Sequence, residues 1–326
     1  MTLYPLTFQP LLKPRLWGGR ALSELYGKSL PPDLPIGESW EISDRPGDVS
    51  RITNGPLAGR DLRWLLEHHA REILGAATTP GGRFPLLVKI LDAREVLSVQ
   101  VHPPPRVASQ LGGEPKTELW YVTRAAPGAV LFAGLKAGVT RAEFERELRA
   151  GGVAACLHPV PVRAGDAMFL PSGRIHALGA GVVIFEIQQN SDTTYRVFDW
   201  DRQSPDGRPR ELHLAQALAC IDFDDFEPGL VTAEWQDNGP RQSRCLADHP
   251  LFRVTEYRTT ETMRESWSSD RVAILGVVSG MVRLEHPGSG ENLELGPGRF
   301  ALVPAAAQPV VIAADAGTTY LTACPG

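Results

Sequence analysis

A short apolar run, LSVQVHPP at residues 97–104, carries two side chains that can bind a metal. Gln100 and His102 are two residues apart, and side chains at that spacing on a β-strand point to the same face. Lys116 and Glu118 have the same spacing at the start of a second predicted strand, EPKTELWYV, which is rich in aromatic and β-branched residues. The two patterns predict strands that each present a pair of polar groups on one face.

A third segment, GDAMFLPSGRIHALGAG, places His176 just past a predicted strand end. The proline and glycine turn before it allows the backbone to project this side chain inward. A β-barrel would bring the three segments together, and the set of nitrogen and oxygen ligands would be Gln100, His102, Glu118 and His176. Zinc accepts such ligands, while manganese, iron, cobalt and nickel stay open because the ligand type does not fix the metal. The alternative is a barrel interior in which these polar groups satisfy one another without an ion.

The composition is that of an ordinary globular protein. Of 326 residues, 43% are apolar and 22% are charged, and this length allows a large core and two compact units. The formal net charge of -5 argues against general affinity for nucleic acid. No apolar run approaches the roughly 18 residues of a membrane helix, and four scattered cysteines without a CxxC pair suit a reducing compartment. We therefore expect a soluble cytoplasmic protein that binds neither nucleic acid nor membrane.

Helical spacing is confined to a few segments. Residues 61–74 predict a helix with Asp61 as N-cap and Gly75 beyond its last turn, and residues 140–152 and 210–221 also have a helical pattern.

The nearly continuous apolar run at 84–91 predicts a buried strand that contains Lys89. A buried lysine needs an anionic partner, which is either a carboxylate or a substrate phosphate. The polar segment 190–202 predicts a hairpin or loop that contains Arg196.

A weak internal repeat divides the chain. Residues 165–171 read GDAMFLP and residues 298–304 read GRFALVP, with the same spacing. Five residues beyond the proline, the first copy has His176 whereas the second has Pro309. We expect two related antiparallel barrels, a metal-bearing unit at 1–235 that is enlarged by helices and a smaller metal-free unit at 236–326.

Five strings together resemble a known enzyme family. LLVKIL, LSVQVHP, KTELWYV, GDAMFLPSGRIHALG and EIQQNSDTTYRVFDWDR resemble, in this order and spacing, the type I mannose-6-phosphate isomerases, which are the phosphomannose isomerase branch of the cupin superfamily. The similarity extends over about residues 11–223, and the tail from about residue 252 resembles the smaller cupin domain of the short bacterial members. The resemblance implies a mainly β fold of cupin-type antiparallel jelly-roll barrels with a helical insertion.

The resemblance also implies functional roles. The four residues that would bind the family's zinc, one ion per chain, are Gln100, His102, Glu118 and His176. Arg196 would lie at the reacting end of a sugar phosphate, and Ser98, Lys89 and Lys116 would line the pocket. The implied reaction interconverts mannose 6-phosphate and fructose 6-phosphate through a cis-enediol. In it, the metal acts as a Lewis acid and Arg196 stabilises developing negative charge.

Several roles stay open at this point. Glu186 is the candidate for the proton-transfer base, with a metal-bound hydroxide or a released His102 as alternatives, and with a purely orienting role beside Arg196 as another. We assign Lys116 a catalytic role near the metal, although it could simply neutralise Glu118. Ser98 could donate to phosphate or make an ordinary cross-strand hydrogen bond.

Two other functions compete with isomerisation. An Fe(II) oxygenase is one, but such sites favour histidine-rich ligand sets and do not need the anion-binding charges of Lys89, Lys116 and Arg196. A non-catalytic sugar-phosphate binder is the other, and it would bind sugar phosphate without exchanging the C2 proton. The oligomeric state is open between a monomer and a weak homodimer.

Overall fold

The structure is a computed structural model and describes residues 2–203 and 207–326. It is built mainly from antiparallel β-strands, so the predicted class is confirmed. Strands β1 to β13 span Leu11–Gly19, Ile36–Ile42, Asp44–Arg45, Asp48–Val49, Leu86–Ala93, Val99–Val101, Glu118–Ala125, Val130–Leu135, Leu157–Pro161, Ala167–Leu170, His176–Leu178, Val182–Gln189 and Tyr195–Phe198. Strands β14 to β23 span Gln236–Asp237, Arg241–His249, Phe252–Thr259, Met263–Trp267, Ala273–Ser279, Val282–Glu285, Asn292–Leu295, Phe300–Val303, Val310–Ala314 and Thr319–Pro325. Helices α1 to α5 span Ala21–Tyr26, Leu62–Leu74, Pro105–Ala108, Arg141–Arg149 and Leu214–Cys220.

The first barrel is formed by two sheets. One has the strand order β1-β2-β5-β12-β7-β10 and the other has the order β13-β6-β11-β8-β9. Apolar side chains from both sheets, such as Leu91, Ile184, Leu131 and Leu178, belong to one buried cluster. The two sheets therefore pack face to face and enclose an interior. One end of this interior can hold polar residues.

The later strands form a second barrel. Its sheets have the orders β14-β15-β16-β23-β18-β21 and β17-β22-β19-β20, and their inward side chains form an apolar cluster that includes Leu275, Leu284 and Ile312. The repeated strings GDAMFLP and GRFALVP supply β10 and β21, and each is the last strand of its six-stranded sheet. The repeat in the sequence thus corresponds to a repeated position in the fold.

The largest apolar cluster lies between the two barrels. It joins Phe185 of β12 to Phe252 of β16 and Phe300 of β21. Leu6 and Leu302 add two reciprocal backbone hydrogen bonds of 2.8 Å. Because each six-stranded sheet buries its outer face against the other, the two barrels support each other.

Two helices lie close to the positions that the sequence predicted. Asp61 caps α2 by accepting a hydrogen bond from the Trp64 backbone at 2.8 Å, and Thr140 forms a capping box with Glu143 at the start of α4. The third helical segment is shorter than predicted, because α5 covers only Leu214–Cys220. No helix among residues 2–203 and 207–326 is long and apolar enough to cross a membrane.

One local expectation was wrong. Arg196 was predicted in a hairpin or loop, but it lies on β13, which pairs with β6. The many polar residues around it hide the alternation of buried Tyr195 and Val197, and this alternation is the strand signal. His176 lies past the end of β10 and beyond the turn, as predicted, and it also begins β11, because its backbone pairs with Gln100 of β6 and Ala133 of β8.

Candidate active site

The four predicted metal ligands converge at one end of the first barrel. Gln100 on β6 is the direct cross-strand partner of His176 on β11, Glu118 begins β7, and His102 follows β6. His102, Glu118 and His176 are at most 1% exposed. One ligand atom from each of these three lies within 4.8 Å of the others.

The side chains face a common centre. His102 Nε2 lies 3.6 Å from Glu118 Oε2, and His176 Nε2 lies 3.5 Å from Glu118 Oε1. The amide of Gln100 reaches the same place, with its Nε2 3.2 Å from His176 Nε2. Trp120 packs edge-on against the His176 ring at a centroid distance of 5.2 Å, so the imidazole is held from the side as well.

Backbone carbonyls set the orientation of both imidazoles. His102 Nδ1 lies 2.9 Å from the carbonyl oxygen of Thr193, and His176 Nδ1 lies 3.0 Å from that of Arg174. A carbonyl only accepts hydrogen bonds, so each Nδ1 carries the proton and each Nε2 has a lone pair on the side of Glu118. The Nε2 of His102 also accepts a hydrogen bond from Lys116 Nζ at 3.2 Å. Burial, together with the nearby Lys116 ammonium, lowers the pKa of His102 to about 4. Burial also lowers the pKa of His176, so both rings are neutral near pH 7.

Glu118 is the anionic member of the cluster. Burial by itself would raise its pKa, but Lys116 and the two histidines hold the pKa well below the usual glutamate range. The Lys116 ammonium lies 2.6 Å from Glu118 Oε2, while the buried Oε1 has no hydrogen-bond donor among the described residues. A buried, anionic carboxylate that faces two imidazole nitrogens fits a divalent cation.

A cavity of about 380 Å³ lies next to this cluster. All the predicted catalytic and substrate-binding residues line it: Lys89, Ser98, Lys116, Glu186 and Arg196. Gln100 also lines it, which joins the cavity to the metal-binding set. Arg15 and Arg210 add two further cations, so the wall suits a small anionic ligand.

Lys89 and Glu186 lie opposite each other on β5 and β12. Lys89 Nζ is 3.1 Å from Glu186 Oε1, so the buried lysine has a carboxylate partner. Lys116 Nζ lies 3.8 Å from the same oxygen, and Trp120 Nε1 donates to Glu186 Oε2 at 3.0 Å. Burial alone would lower the pKa of Lys116, but the carboxylates of Glu118 and Glu186 outweigh it and raise the pKa. Positive and negative side chains therefore alternate along this wall, in the order Lys89, Glu186, Lys116 and Glu118.

Arg196 lies on the opposite side of the cavity. Its Nη1 donates to the backbone carbonyl of Glu211 at 2.7 Å, which fixes the guanidinium. Its buried Nε has no partner among the described residues. Burial and the neighbouring Arg210 lower the pKa of Arg196. This guanidinium therefore has a free donor to offer to a ligand, with Asp199 and Glu211 as its nearby carboxylates.

The sequence analysis overlooked some of the cavity wall. Glu38 also lines the cavity, where it accepts hydrogen bonds from Arg15 Nε at 2.6 Å and Trp40 Nε1 at 2.7 Å. Burial would raise its pKa, but Lys89 and Arg15 lower it on balance. Asp192 also lines the cavity. The same-face spacing of Glu38 and Trp40 on β2 was a signal that could have identified this wall.

The fold and the site together define a class: a cupin-type barrel with a candidate metal centre and a cationic cavity. Residues 6–118 match the family model of the phosphomannose isomerase type I catalytic domain. A mannose-6-phosphate isomerase from Streptococcus mutans is 36% identical over 86% of this chain and 86% of its own length. A probable mannose-6-phosphate isomerase from Bacillus subtilis is 36% identical over 93% of this chain and 94% of its own. This chain belongs to the type I phosphomannose isomerase family.

A solved structure gives the same result. The crystal structure of the mannose 6-phosphate isomerase from Bacillus subtilis matches with a TM-score of 0.88 and 31% sequence identity, and covers 98% of this chain and 99% of that one. The predicted family, cupin fold and isomerase activity are confirmed. Nothing in these comparisons favours an oxygenase or a non-catalytic binder.

Proposed function

We propose that this chain carries out its family's aldose–ketose isomerisation, between D-mannose 6-phosphate and D-fructose 6-phosphate, in the cavity beside His102, Glu118 and His176. The observation that carries the assignment is the convergence of separate sequence segments on one cavity. Two of these segments were singled out by the same-face spacing of their polar residues, and the segment of His176 by the proline and glycine turn before it.

We propose one zinc ion per chain, held by His102, Glu118, His176 and Gln100. Gln100 would present its amide oxygen by turning the amide over. Two neutral imidazoles with two oxygen ligands suit zinc, and the same set would accept other divalent transition metals. When bound, the ion would supply Lewis-acid stabilisation of negative charge on a substrate oxygen.

Glu186 is our candidate for the base that carries the proton between C1 and C2. Its Oε2 is fixed by Trp120, and its buried Oε1 lies 3.1 Å from the Lys89 ammonium. A carboxylate in this place lines the cavity and can act on a bound substrate as a base. Among the described residues, the polar contacts of Glu186 are with Lys89, Lys116 and Trp120, which gives no support to a role in orienting Arg196.

The cationic side chains would have separate roles in substrate binding and catalysis. Arg196 lines the cavity, where its positive charge would stabilise the enediolate. Lys116 lies between Glu118 and Glu186, where it would act on the sugar oxygens at the reacting end. Lys89 and Ser98 would bind the substrate. Cytoplasmic location and a monomeric or weakly dimeric state stay predictions.

We also propose that the chain has two domains with different roles. Residues 1–235 would form the catalytic domain, because every candidate site residue lies there. Residues 236–326 would form a metal-free cupin-like domain, because the interior of the second barrel is apolar. Its contribution is to cover the outer face of the catalytic sheet.

A coupled assay on chelated and zinc-restored protein tests the proposed function. Chelation should abolish conversion of mannose 6-phosphate to fructose 6-phosphate, and zinc should restore it. Full turnover after complete chelation would contradict the metal assignment. Saturable sugar-phosphate binding without exchange of the C2 proton into solvent would instead identify a binder.

A further inference from the structure

The turn at residues 171–174, between β10 and β11, contacts both metal-binding histidines. The Gly173 backbone N–H donates to the carbonyl of His102 at 2.9 Å, and the Arg174 carbonyl accepts from His176 Nδ1. Gly173 has a φ of +98°, which other residues rarely adopt. One turn thus fixes the backbone of one histidine and the ring of the other.

The side chain of Arg174 anchors this turn. Its Nε and Nη2 donate to the two carboxylate oxygens of Asp225, each at 2.8 Å, and its Nη1 donates to the carbonyl of Phe169 at 2.7 Å. The Arg174 and Asp225 side chains are only 15% and 17% exposed. A two-point contact between a guanidinium and a carboxylate fixes direction as well as distance.

The partner carboxylate is itself held in place. Asp225 follows α5, and its backbone carbonyl accepts a hydrogen bond from Leu135 at the end of β8. The Asp222 backbone N–H donates to the carbonyl of Gly173 at 2.9 Å. The segment after α5 is therefore tied to the turn both through the backbone and through the Arg174 side chain.

We propose that Arg174, clamped by Asp225, is a positioning residue for the metal site: it fixes the carbonyl that orients the His176 ring. The inference rests on the proposed role of His176 as a metal ligand. The residue that holds the outer nitrogen of a metal-binding histidine sets both the tautomer and the direction of the lone pair. With the clamp removed, only the backbone hydrogen bonds of the turn hold this carbonyl, so its position is less tightly fixed.

The experiment measures the zinc dissociation constant by chelator competition on folded protein. Arg174→Ala and Asp225→Ala should each weaken zinc binding by about 10–100-fold, as loss of such supporting contacts does elsewhere. Arg174→Lys, which keeps the charge but not the two-point contact, should be intermediate. The double alanine variant should bind zinc no more weakly than either single variant, because both remove the same clamp.

Arg244 offers a matched control. It also pairs with a buried carboxylate, that of Glu256 at 2.6 Å, and also donates to a backbone carbonyl, that of Gly165 at 2.5 Å. Arg244→Ala should lower the unfolding free energy and leave the zinc dissociation constant unchanged. The visible spectrum of the cobalt-loaded protein should change in Arg174→Ala and not in Arg244→Ala.

Each outcome bears on one assignment. If the parent binds zinc tightly and Arg174→Ala binds it equally well, the clamp is only structural and the inference fails. If Arg244→Ala weakens zinc binding as much as Arg174→Ala does, the effect is general and the inference fails as well. If the parent itself binds no divalent metal, the proposed ligand set fails first. Should Arg174→Ala not fold, Asp225→Asn, which keeps an acceptor in place, gives the same comparison.

Discussion

Replacing Glu186 by glutamine removes one negative charge from the centre of the cavity wall and preserves the shape of the side chain. The amide oxygen can still accept from Trp120, which lies 3.0 Å away in the parent. Lys89 loses a carboxylate at 3.1 Å and Lys116 loses one at 3.8 Å. The variant therefore tests the charge of Glu186 separately from its volume.

The expected loss of stability follows from the remaining partners. Removing one member of a buried ion pair costs about 3–5 kcal/mol. Lys116 keeps Glu118 at 2.6 Å, and Lys89 keeps the ring of Trp40 at 5.0 Å and the field of Glu38. We therefore expect Glu186→Gln to lower the unfolding free energy by about 3 kcal/mol, the lower end of this range, as measured by urea denaturation.

The expected loss of activity is larger. A positioned base contributes about 10²–10⁴-fold to the rate, so kcat of Glu186→Gln should fall by that factor and exchange of the C2 proton into solvent should slow with it. Glu186 is not one of the proposed metal ligands, so the zinc dissociation constant should stay within a few-fold of the parent value. Steady-state kinetics, proton exchange and chelator competition measure the three quantities.

Glu38→Gln is the matched control. Glu38 is also buried, accepts from a tryptophan N–H and pairs with a cation, but its neighbours are Arg15 and Lys89 instead of the metal-binding cluster. Its replacement should raise KM and change kcat by less than about tenfold. If Glu186→Gln keeps kcat within that range while losing stability, Glu186 is a structural counter-ion and the base is another group.

Three further variants test other parts of the site and the fold. His176→Ala should lose zinc and activity together, and a metal-retaining, fully active variant would refute the ligand assignment. Arg196→Ala should keep zinc, since no hydrogen bond or ion pair joins its guanidinium to the ligand cluster among the described residues, but kcat should fall by about 10²–10³-fold; a variant with unchanged kcat would remove Arg196 from the reaction. Burial raises the pKa of Tyr26 to about 12, so its contribution to stability is fully present below pH 10 and is lost as the pH rises to 12. Urea denaturation should show that the unfolding free energy of the parent falls by about 2–3 kcal/mol more than that of Tyr26→Phe between pH 10 and 12. If the unfolding free energies of the two proteins instead change in parallel with pH, the pKa of this phenol is not raised.

The sequence by itself determined the parts of this protein that depend on local spacing. Gln100 and His102 were recognised by their two-residue separation, the helix after Asp61 by its cap, and the helix after Thr140 by the spacing of its apolar residues. These signals need no knowledge of the rest of the chain, because alternation and capping act over two to four residues.

Only the tertiary structure decided how the strands pair, and with it the surroundings of each site residue. Lys89 faces Glu186 because β5 and β12 are neighbours in one particular register, and a shift by one residue would turn the two side chains to opposite faces. The pairing of β13 with β6 makes Arg196 a strand residue although its polar neighbours predicted a loop. The clamp between Arg174 and Asp225 joins a turn to the segment after α5. Partners that are distant in the chain are chosen by sheet pairing and packing, which no short window of sequence contains.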